Sequence, residues 1–350
     1  MDIGCIGYSN NSGLGQMLRG FRQHLPLDSQ LIIPNVKGTQ PLDNSFSCIE
    51  PFPSIEELEF YLSQFKPDIM IIIETPFNFE FLKILHDRKI KVIFIPMIDS
   101  VTLRTFERYL DYIDLVLHPT KMSLEAGTWW PGKQMYLPYP IDTDYFHPDK
   151  LDTTKEYMFL HNEGYSGMYR RKGTDIVLTA AHQFLSNKQY KDVKFLINTQ
   201  AGKTGSAACM MEDHPAITIN YYDFTEAIDT YKKGLVYIAP SRREGLGLSL
   251  IEAMACGLPV ITTDAPPMNT WFNGDKRLLL SVYDIQDPTY EDSKLYVCNI
   301  LDTLRMFEWV YKNQDEVIEI GKRNREIVEK KFSWHALKEK YIDILEGLLK

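Results

Sequence analysis

The chain has 350 residues, of which 44% are hydrophobic and 24% charged, a make-up typical of a soluble globular protein with room for two α/β domains. Its formal net charge of -9 argues against a general nucleic-acid binder, because non-specific binding to phosphates needs a broad basic surface. No apolar run reaches the roughly 20 residues that cross a bilayer, and the first residues lack the pattern of a secretory signal. We therefore expect a cytoplasmic protein without an integral membrane segment.

Strands and helices alternate along the first third of the chain. Residues 69–73 form an unbroken apolar run, as expected of a parallel strand that is covered on both faces. Ser54, with Glu57 three residues later, has the pattern of a helix capping box. This alternation predicts βαβ units around a parallel sheet. The predicted strands are 3–7, 31–34, 69–73, 91–95 and 115–118, and the predicted helices are 14–24, 54–64, 79–88 and 103–112.

A proline-rich segment, residues 129–149, is the predicted connection between two domains. The alternation then restarts, and the chain ends in segments with apolar residues at three- and four-residue spacing, which predicts helices. The sequence therefore predicts a first domain over 1–148, a second domain over 149–332 and a last helix over 333–350. The predicted strands of the second domain are 157–160, 193–198, 217–220, 235–239 and 260–263, and its predicted helices are 173–184, 224–232, 248–255, 301–314 and 317–330.

The most informative segment is residues 239–263, APSRREGLGLSLIEAMACGLPVITT, whose pattern predicts strand, glycine loop, helix, turn and strand. The glycines at 245 and 247 leave room for backbone N–H groups to approach a ligand closely. The helix that starts near Leu248 points its N-terminus into the same space, which favours a phosphate or another anion. Glu244 precedes this helix and Glu252 lies about one turn inside it. Both are near the carboxyl end of a strand, where open α/β sheets bind ligands.

Glu244 and Glu252 have the E-x7-E spacing, and the segment around them closely resembles the signature of the family-four retaining glycosyltransferases, also called glycosyltransferases group 1. The resemblance implies the GT-B fold, an α/β protein of two Rossmann-like domains that face each other across a cleft. The first domain would bind the acceptor and the second the nucleotide-sugar donor. The C-terminal helix would cross back to the first domain.

The resemblance also implies a different role for each of the two glutamates. Glu244 would contact hydroxyls of the donor sugar near the reacting carbon, and Glu252 would hold the ribose hydroxyls of the nucleotide. Backbone groups between them would meet the diphosphate and the sugar. These backbone groups belong to Gly245, Leu246, Gly247 and Leu248.

A second candidate element is the basic run RRKG at residues 170–173, just before a predicted helix. Its last two residues resemble the family's Lys-Gly pair, in which the lysine binds the leaving diphosphate. Lys172 would neutralise that developing charge without a metal. The family usually has an arginine about five or six residues earlier, where this chain has Ser166–Gly167. Either Arg170 or Arg171 takes that role or the loop is rearranged, and the alternative interpretation of the run is a solvated basic turn.

The loop after the first predicted strand contains Gly13 and Gly15. In the family that this chain resembles, a glycine loop here lines the cleft near the donor phosphates and the acceptor; the alternative is a plain strand–helix turn. The next glycine, Gly20, is misplaced for a dinucleotide G-x-G-x-x-G fingerprint, so a nicotinamide cofactor is not expected. The family often has a histidine after the strand at 91–95. This chain has none there, and either Asp99 faces the sugar instead or that role is absent.

The predicted activity is transfer of a hexosyl or pentosyl group from a nucleotide-diphosphate sugar to an acceptor hydroxyl, with retention and without a cofactor or metal. The D-x-D pattern at 142–144 lies in the predicted linker, so we do not expect it to bind a metal. The candidate catalytic residues are Glu244, Lys172, Arg171 and Asp99. The candidate donor-binding residues are Glu252, Gly245, Leu246, Gly247, Leu248, Gly13, Gly15 and Arg170.

The sequence leaves the acceptor, the sugar, the nucleotide base and the oligomeric state open. The candidate acceptors are a glycan, a lipid-linked saccharide and a hydroxymethylated base in DNA, the last of which would need base flipping and a basic cleft. Two other classes of function are compatible with the same residues. One is a nucleotide-sugar epimerase or a phosphorylase of the same fold, and the other is a non-catalytic protein that binds sugar nucleotides or glycans.

Overall fold

A computed structural model describes residues 1–34, 39–100, 103–152, 154–165, 170–206, 213–221, 224–272, 274–287 and 294–350. The chain divides into two compact units. Unit 1 comprises Met1–Pro140 and Trp334–Lys350, and unit 2 comprises the described residues from Ile141 to Ser333. The division therefore falls inside the proline-rich segment.

Unit 1 is built on a seven-stranded parallel sheet. Its strands are β1 (Ile3–Gly7), β2 (Leu27–Ile32), β3 (Ser45–Ser47), β4 (Ile69–Glu74), β5 (Lys91–Pro96), β6 (Leu115–His118) and β7 (Gln134–Tyr136). Their order is β3-β2-β1-β4-β5-β6-β7, so the direction of winding reverses between β1 and β4. The helices are α1 (Gly13–His24), α2 (Ile55–Gln64), α3 (Glu80–Asp87), α4 (Lys121–Ala126) and the 3₁₀ helix Leu103–Tyr112.

Local signals in unit 1 act as the sequence predicts. Ser54 accepts a hydrogen bond from the backbone N–H of Glu57, and the Glu57 carboxylate accepts one from the N–H of Ser54, which confirms the capping box. The predicted strand at 31–34 was wrong in its bounds, because the parallel register pairs Ile3 with Leu27 and ends β2 at Ile32. Helix α4 and strand β7 were not predicted.

Unit 2 contains a six-stranded parallel sheet and a separate antiparallel hairpin. The sheet strands are β8 (Tyr157–Gly164), β9 (Phe195–Thr199), β10 (Ile217–Tyr221), β11 (Gly234–Ala239), β12 (Val260–Thr263) and β13 (Leu279–Leu280). Their order is β10-β9-β8-β11-β12-β13, with the reversal between β8 and β11. The hairpin, which was not predicted, pairs β14 (Val282–Gln286) with β15 (Leu295–Cys298).

Apart from the short helix Gly202–Gly205, which was not predicted, the helices of the second half follow the predicted pattern closely. They are α5 (Thr174–Leu185), α6 (Gly202–Gly205), α7 (Leu248–Ala255), α8 (Ile300–Lys312), α9 (Gln314–Lys331) and α10 (Trp334–Gly347). The predicted helix at 224–232 is a shorter 3₁₀ helix, Ala227–Tyr231. Among the helices of the described ranges, none combines the length and apolar character that a membrane crossing requires.

The last helix, α10, belongs to unit 1, as the predicted return of the C-terminal helix requires. The rings of Trp334 and Tyr341 lie 5.8 and 5.6 Å from the ring of Phe21 on α1. The Tyr341 hydroxyl donates a hydrogen bond to the carbonyl of Pro138 at 3.1 Å. Aromatic packing and this buried hydrogen bond hold the end of the chain against α1.

Candidate active site

Two loops meet at the carboxyl edge of the unit 2 sheet, where the strand order reverses. The first loop follows β8 and ends at Gly173 before α5, and the second follows β11 and ends at Gly247 before α7. Strands β8 and β11 are direct neighbours, with Phe159 opposite Val236. Open α/β sheets bind ligands outside the carboxyl ends of their strands at such a reversal point.

An ion-pair cluster around the buried Glu244 joins these loops. The Lys172 Nζ lies 2.7 Å from Glu244 Oε1, and an Arg171 guanidinium nitrogen lies 2.7 Å from Glu244 Oε2. Glu244 is only 4% exposed. Burial alone would raise the pKa of its carboxyl, but the charges of Lys172 and Arg171 outweigh burial and lower the pKa to about 2. Glu244 is therefore ionised at neutral pH.

The sequence did not decide which of two arginines lies beside Lys172, and the structure places them next to different carboxylates. Arg171 shares Glu244 with Lys172, whereas Arg170 lies 3.6 Å from Asp175 in the first turn of α5. The residues at 166 and 167, where the family usually has its arginine, lie outside the described residues.

Each of the two loops ends in a glycine with a left-handed backbone conformation. Gly173 has a φ of 69°, and a Cβ there would lie 2.2 Å from the carbonyl oxygen of Pro240, so the Lys172 loop packs backbone to backbone on the end of β11. Gly247 has a φ of 76°. Both glycines are N-cap residues without a side chain, unlike Ser54 at the start of α2, so neither offers a side-chain acceptor to the first N–H groups of its helix. These N–H groups suit an anion.

Glu252 lies in α7 and is 7% exposed. The Tyr231 hydroxyl donates a hydrogen bond of 2.6 Å to Glu252 Oε2. Burial raises the pKa of Glu252 to about 7, although the Tyr231 hydrogen bond and the charge of Lys172 oppose the rise. The sequence reasoning did not identify Tyr231, since it lies in the 3₁₀ helix before β11, remote in sequence from Glu252.

The other predicted donor-binding residues of unit 2 lie between the two glutamates. Residues 245–247 are buried in the loop, and Leu248 is half-buried as the first residue of α7.

The remaining predicted site residues belong to unit 1. Gly13 begins α1, and a Cβ on Gly15 would lie 2.1 Å from the carbonyl oxygen of Asn10, so this tight turn requires glycine. Asp99 is half-buried after β5. All three follow the carboxyl ends of strands β1 and β5 within unit 1.

The D-x-D pattern at 142–144 forms a local turn. Asp142 Oδ1 accepts hydrogen bonds from the backbone N–H groups of Asp144 and Tyr145 at 3.0 and 2.9 Å. An Asp that bonds to the backbone two and three residues ahead stabilises a turn. Within the described ranges, no group of three or more His, Cys, Asp or Glu residues is placed to hold a metal ion.

Two parallel sheets of this strand order, with the last helix on unit 1, define the GT-B fold, and solved structures with that fold match the whole chain. Sucrose-phosphate synthase from Thermosynechococcus elongatus matches with a TM-score of 0.75 at 15% identity, over 100% of this chain and 99% of that one. Anabaena HepE in complex with UDP and glucose matches with a TM-score of 0.70 at 12% identity, over 99% of this chain and 100% of that one. These likenesses show the fold.

Residues 164–289 match the family model Glycosyl transferases group 1, and this segment contains both loops of the site. The gpi3 subunit of phosphatidylinositol N-acetylglucosaminyltransferase from Schizosaccharomyces pombe is 25% identical over 137 residues, which are 38% of this chain and 29% of that protein. The chain thus has the GT-B fold, and a segment of its second unit matches the glycosyltransferase group 1 family model. The matched part spans less than a third of that curated relative.

Proposed function

We propose that the protein is a glycosyltransferase that moves a sugar from a nucleotide-diphosphate donor to an acceptor hydroxyl with retention of configuration. The observation that carries the proposal is the cluster of Lys172, Arg171 and Glu244 at the reversal point of a sheet whose sequence matches a glycosyltransferase family. The donor would lie against the carboxyl edge of unit 2.

The two cations are suited to a diphosphate. Without donor, Lys172 and Arg171 neutralise Glu244. A bound diphosphate would attract the same two groups, and the uncapped N-termini of α5 and α7 would add backbone donors. Positive side chains placed where charge develops on a leaving group stabilise its departure, so the proposal needs no metal or cofactor.

The two glutamates would recognise the rest of the donor. The oxygens of Glu244 can accept hydrogen bonds from hydroxyls of the donor sugar once the cations turn to the phosphates. Glu252, held by Tyr231, would accept hydrogen bonds from the ribose hydroxyls. The backbone of 245–248 between them would contact the diphosphate and the sugar.

For the chemical step we propose displacement on one face of the sugar. The bond between the anomeric carbon and the phosphate oxygen breaks as the acceptor oxygen bonds to the same carbon from the same side. The acceptor proton passes to the departing diphosphate oxygen, so no enzyme nucleophile is required. Lys172 and Arg171 would stabilise the negative charge on that oxygen.

A nucleoside diphosphate hexose is the donor class to test first, because HepE is described in complex with UDP and glucose and the gpi3 subunit as an N-acetylglucosaminyltransferase. For the acceptor we propose a glycan or a lipid-linked saccharide. A hydroxymethylated DNA base is less favoured, because the chain carries a net charge of -9.

We also propose that the protein acts in the cytoplasm. Cys5, Cys48, Cys256 and Cys298 are all free thiols, which suits a reducing compartment. Cys209 lies outside the described residues.

The test is turnover with a panel of labelled nucleotide sugars, with and without saccharide acceptors. We expect Lys172→Ala and Glu244→Ala each to lower transfer by about 100-fold or more, since each removes a group at the reacting diphosphate or sugar. The matched control is Lys91→Ala, because Lys91 forms an ion pair of 2.8 Å with Asp114 at the amino end of β5. It should leave transfer unchanged.

Three results would contradict the proposal. Unchanged transfer in both Lys172→Ala and Glu244→Ala would refute the roles assigned to these two residues. Conversion of the donor sugar without any acceptor would indicate an epimerase. Donor binding with neither transfer nor slow donor hydrolysis would indicate a binding protein.

A further inference from the structure

Arg242 lies two residues before Glu244 and bonds to the segment that carries Lys172. Its guanidinium donates to the carbonyl of Arg170 at 2.6 Å, and its backbone N–H donates to the carbonyl of Arg171 at 2.7 Å. The peptide groups directly before Lys172 are therefore both held by one residue of the neighbouring loop.

The same guanidinium also holds the start of α5. Two of its nitrogens lie 2.8 and 2.9 Å from the two carboxylate oxygens of Asp175, a bidentate pair. The Arg242 side chain is 12% exposed. This side chain bonds to the first turn of α5 and to the backbone before Lys172, whereas Glu244 bonds to the side chains of Lys172 and Arg171.

The backbone of Arg242 is fixed by the hairpin of unit 2. Its carbonyl accepts a hydrogen bond from the N–H of Tyr296 in β15 at 2.7 Å. Strand β15 is in turn held on β12, where the Thr263 hydroxyl lies 3.1 Å from the Cys298 sulfur. Arg242 thus links three segments: the Lys172 loop, the first turn of α5 and the hairpin.

We propose that Arg242 is a positioning residue for the diphosphate site: it sets the backbone of residues 170–172 so that Lys172 and Arg171 converge on the leaving group. This inference rests on the proposed function. Only arginine can play this positioning role, because the position needs a planar guanidinium that binds both Asp175 oxygens and has a further N–H for the Arg170 carbonyl. A lysine would keep the charge and lose that geometry.

The test compares binding of a nucleoside diphosphate with binding of the matching nucleoside by calorimetry, using UDP, GDP and ADP as the panel. In Arg242→Lys we expect diphosphate affinity to fall about tenfold, the effect of losing one or two charge-assisted hydrogen bonds. Nucleoside affinity should stay within about twofold, because the nucleoside lacks the phosphates that Lys172 and Arg171 would bind. Asp175→Asn should reproduce this selective loss if Arg242→Lys fails to fold.

The matched control is Arg277→Ala. Arg277 also forms a close pair with a carboxylate, at 2.5 Å from Asp275, but it is 41% exposed and remote in sequence from both loops. We expect it to leave both affinities unchanged. A general loss of stability would lower diphosphate and nucleoside binding together, whereas a positioning role lowers only the first.

A double-mutant cycle with Lys172→Ala separates positioning from an additive structural effect. Because Arg242 would position Arg171 as well as Lys172, the loss that Arg242→Lys causes in the Lys172→Ala background should be smaller than its loss in the wild-type protein, and about twofold or less once Arg171 is also replaced by Ala. Diphosphate binding at the wild-type level in Arg242→Lys and Asp175→Asn, or additive losses in the cycle, would overturn the positioning role and leave the proposed function intact. A wild-type protein that binds none of the three diphosphates would instead overturn the proposed function, and this inference with it.

Discussion

Tyr231 donates a hydrogen bond of 2.6 Å to Glu252, and both side chains are buried. The tyrosine lies in the 3₁₀ helix before β11 and the glutamate in α7 after it, so the bond joins two elements that are separate in the chain. A buried carboxyl next to a single donor keeps a raised pKa, here about 7. The function proposed for Glu252, accepting ribose hydroxyls, therefore depends on Tyr231.

Removing the Tyr231 hydroxyl should weaken nucleotide binding. In Tyr231→Phe the Glu252 carboxyl loses its hydrogen bond, so its pKa rises further and its ionised fraction at neutral pH falls. We expect nucleoside diphosphate affinity to fall about fivefold to tenfold, equivalent to the loss of one hydrogen bond to a charged group, measured by calorimetry.

The control for this change is Tyr157→Phe. Tyr157 is also buried, but its hydroxyl makes a long bond of 3.3 Å to Thr218 on β10. An equal loss of nucleotide affinity in both variants would show that Tyr231 has no special link to the site.

Donor affinity should depend on pH through Glu252. Its pKa of about 7 means that the carboxyl is protonated below neutrality and ionised above it. Only the ionised form accepts hydrogen bonds with both oxygens, so affinity should rise as the pH passes upward through about 7 and then level off. A nucleotide sugar is the correct probe, since its diphosphate diester has no group that titrates in this range.

Glu252→Gln should flatten that profile between about pH 5.5 and about pH 8.5. In the protein without donor, Glu244 is ionised throughout this range, because its pKa is about 2. A pH profile that persists in Glu252→Gln would assign the titration to another group.

Replacing Glu244 should separate diphosphate binding from transfer. In Glu244→Gln, Lys172 and Arg171 lose the carboxylate that both contact at 2.7 Å, so a diphosphate no longer competes with it. We expect nucleoside diphosphate affinity to increase by about tenfold while transfer falls by about 100-fold. Calorimetry and turnover on the same preparations measure the two effects.

Glu316→Gln is the matched control, since Glu316 accepts from Arg277 at 3.0 Å and both side chains are exposed. It should change neither quantity. Weaker diphosphate binding in Glu244→Gln would mean that Glu244 orients the two cations rather than competing for them.

The sequence predicted those elements whose signals are local. Strand β1 and helix α7 have the predicted bounds, because a short buried apolar run and a glycine at each helix end depend on neighbouring residues alone. Strand β7 has three residues and depends on its pairing with β6, so no local sequence pattern predicts it.

The sequence motifs of the candidate site could be predicted, but the contacts between its side chains could not. The E-x7-E spacing and the Lys-Gly pair identified Glu244 and Lys172, which the structure brings to 2.7 Å. The position of Arg171, rather than Arg170, beside Glu244 depends on the backbone turn at Arg170, which has a φ of 51°. Such a conformation depends on tertiary contacts, among them the bond from Arg242 to the Arg170 carbonyl.

Replacing Gly173 tests whether the Lys172 loop depends on its close backbone contact with Pro240. A side chain there would meet two costs: a left-handed backbone with φ of 69° and a Cβ placed 2.2 Å from the carbonyl oxygen of Pro240. The first cost is about 1 kcal/mol, and the contact with backbone cannot relax without moving β11 or the loop. We expect Gly173→Ala to lower the free energy of unfolding in urea by more than about 3 kcal/mol.

Gly202 separates the two costs, because it has the same φ of 69° and nothing within 4 Å of the position its Cβ would take. Gly202→Ala should therefore lower the free energy of unfolding by only about 1 kcal/mol. Any folded Gly173→Ala protein should also bind nucleoside diphosphate more weakly, since the neighbouring Lys172 must shift with the loop. Equal destabilisation by the two substitutions, with diphosphate binding preserved, would show that the loop relaxes freely and that its contact with Pro240 does not position Lys172.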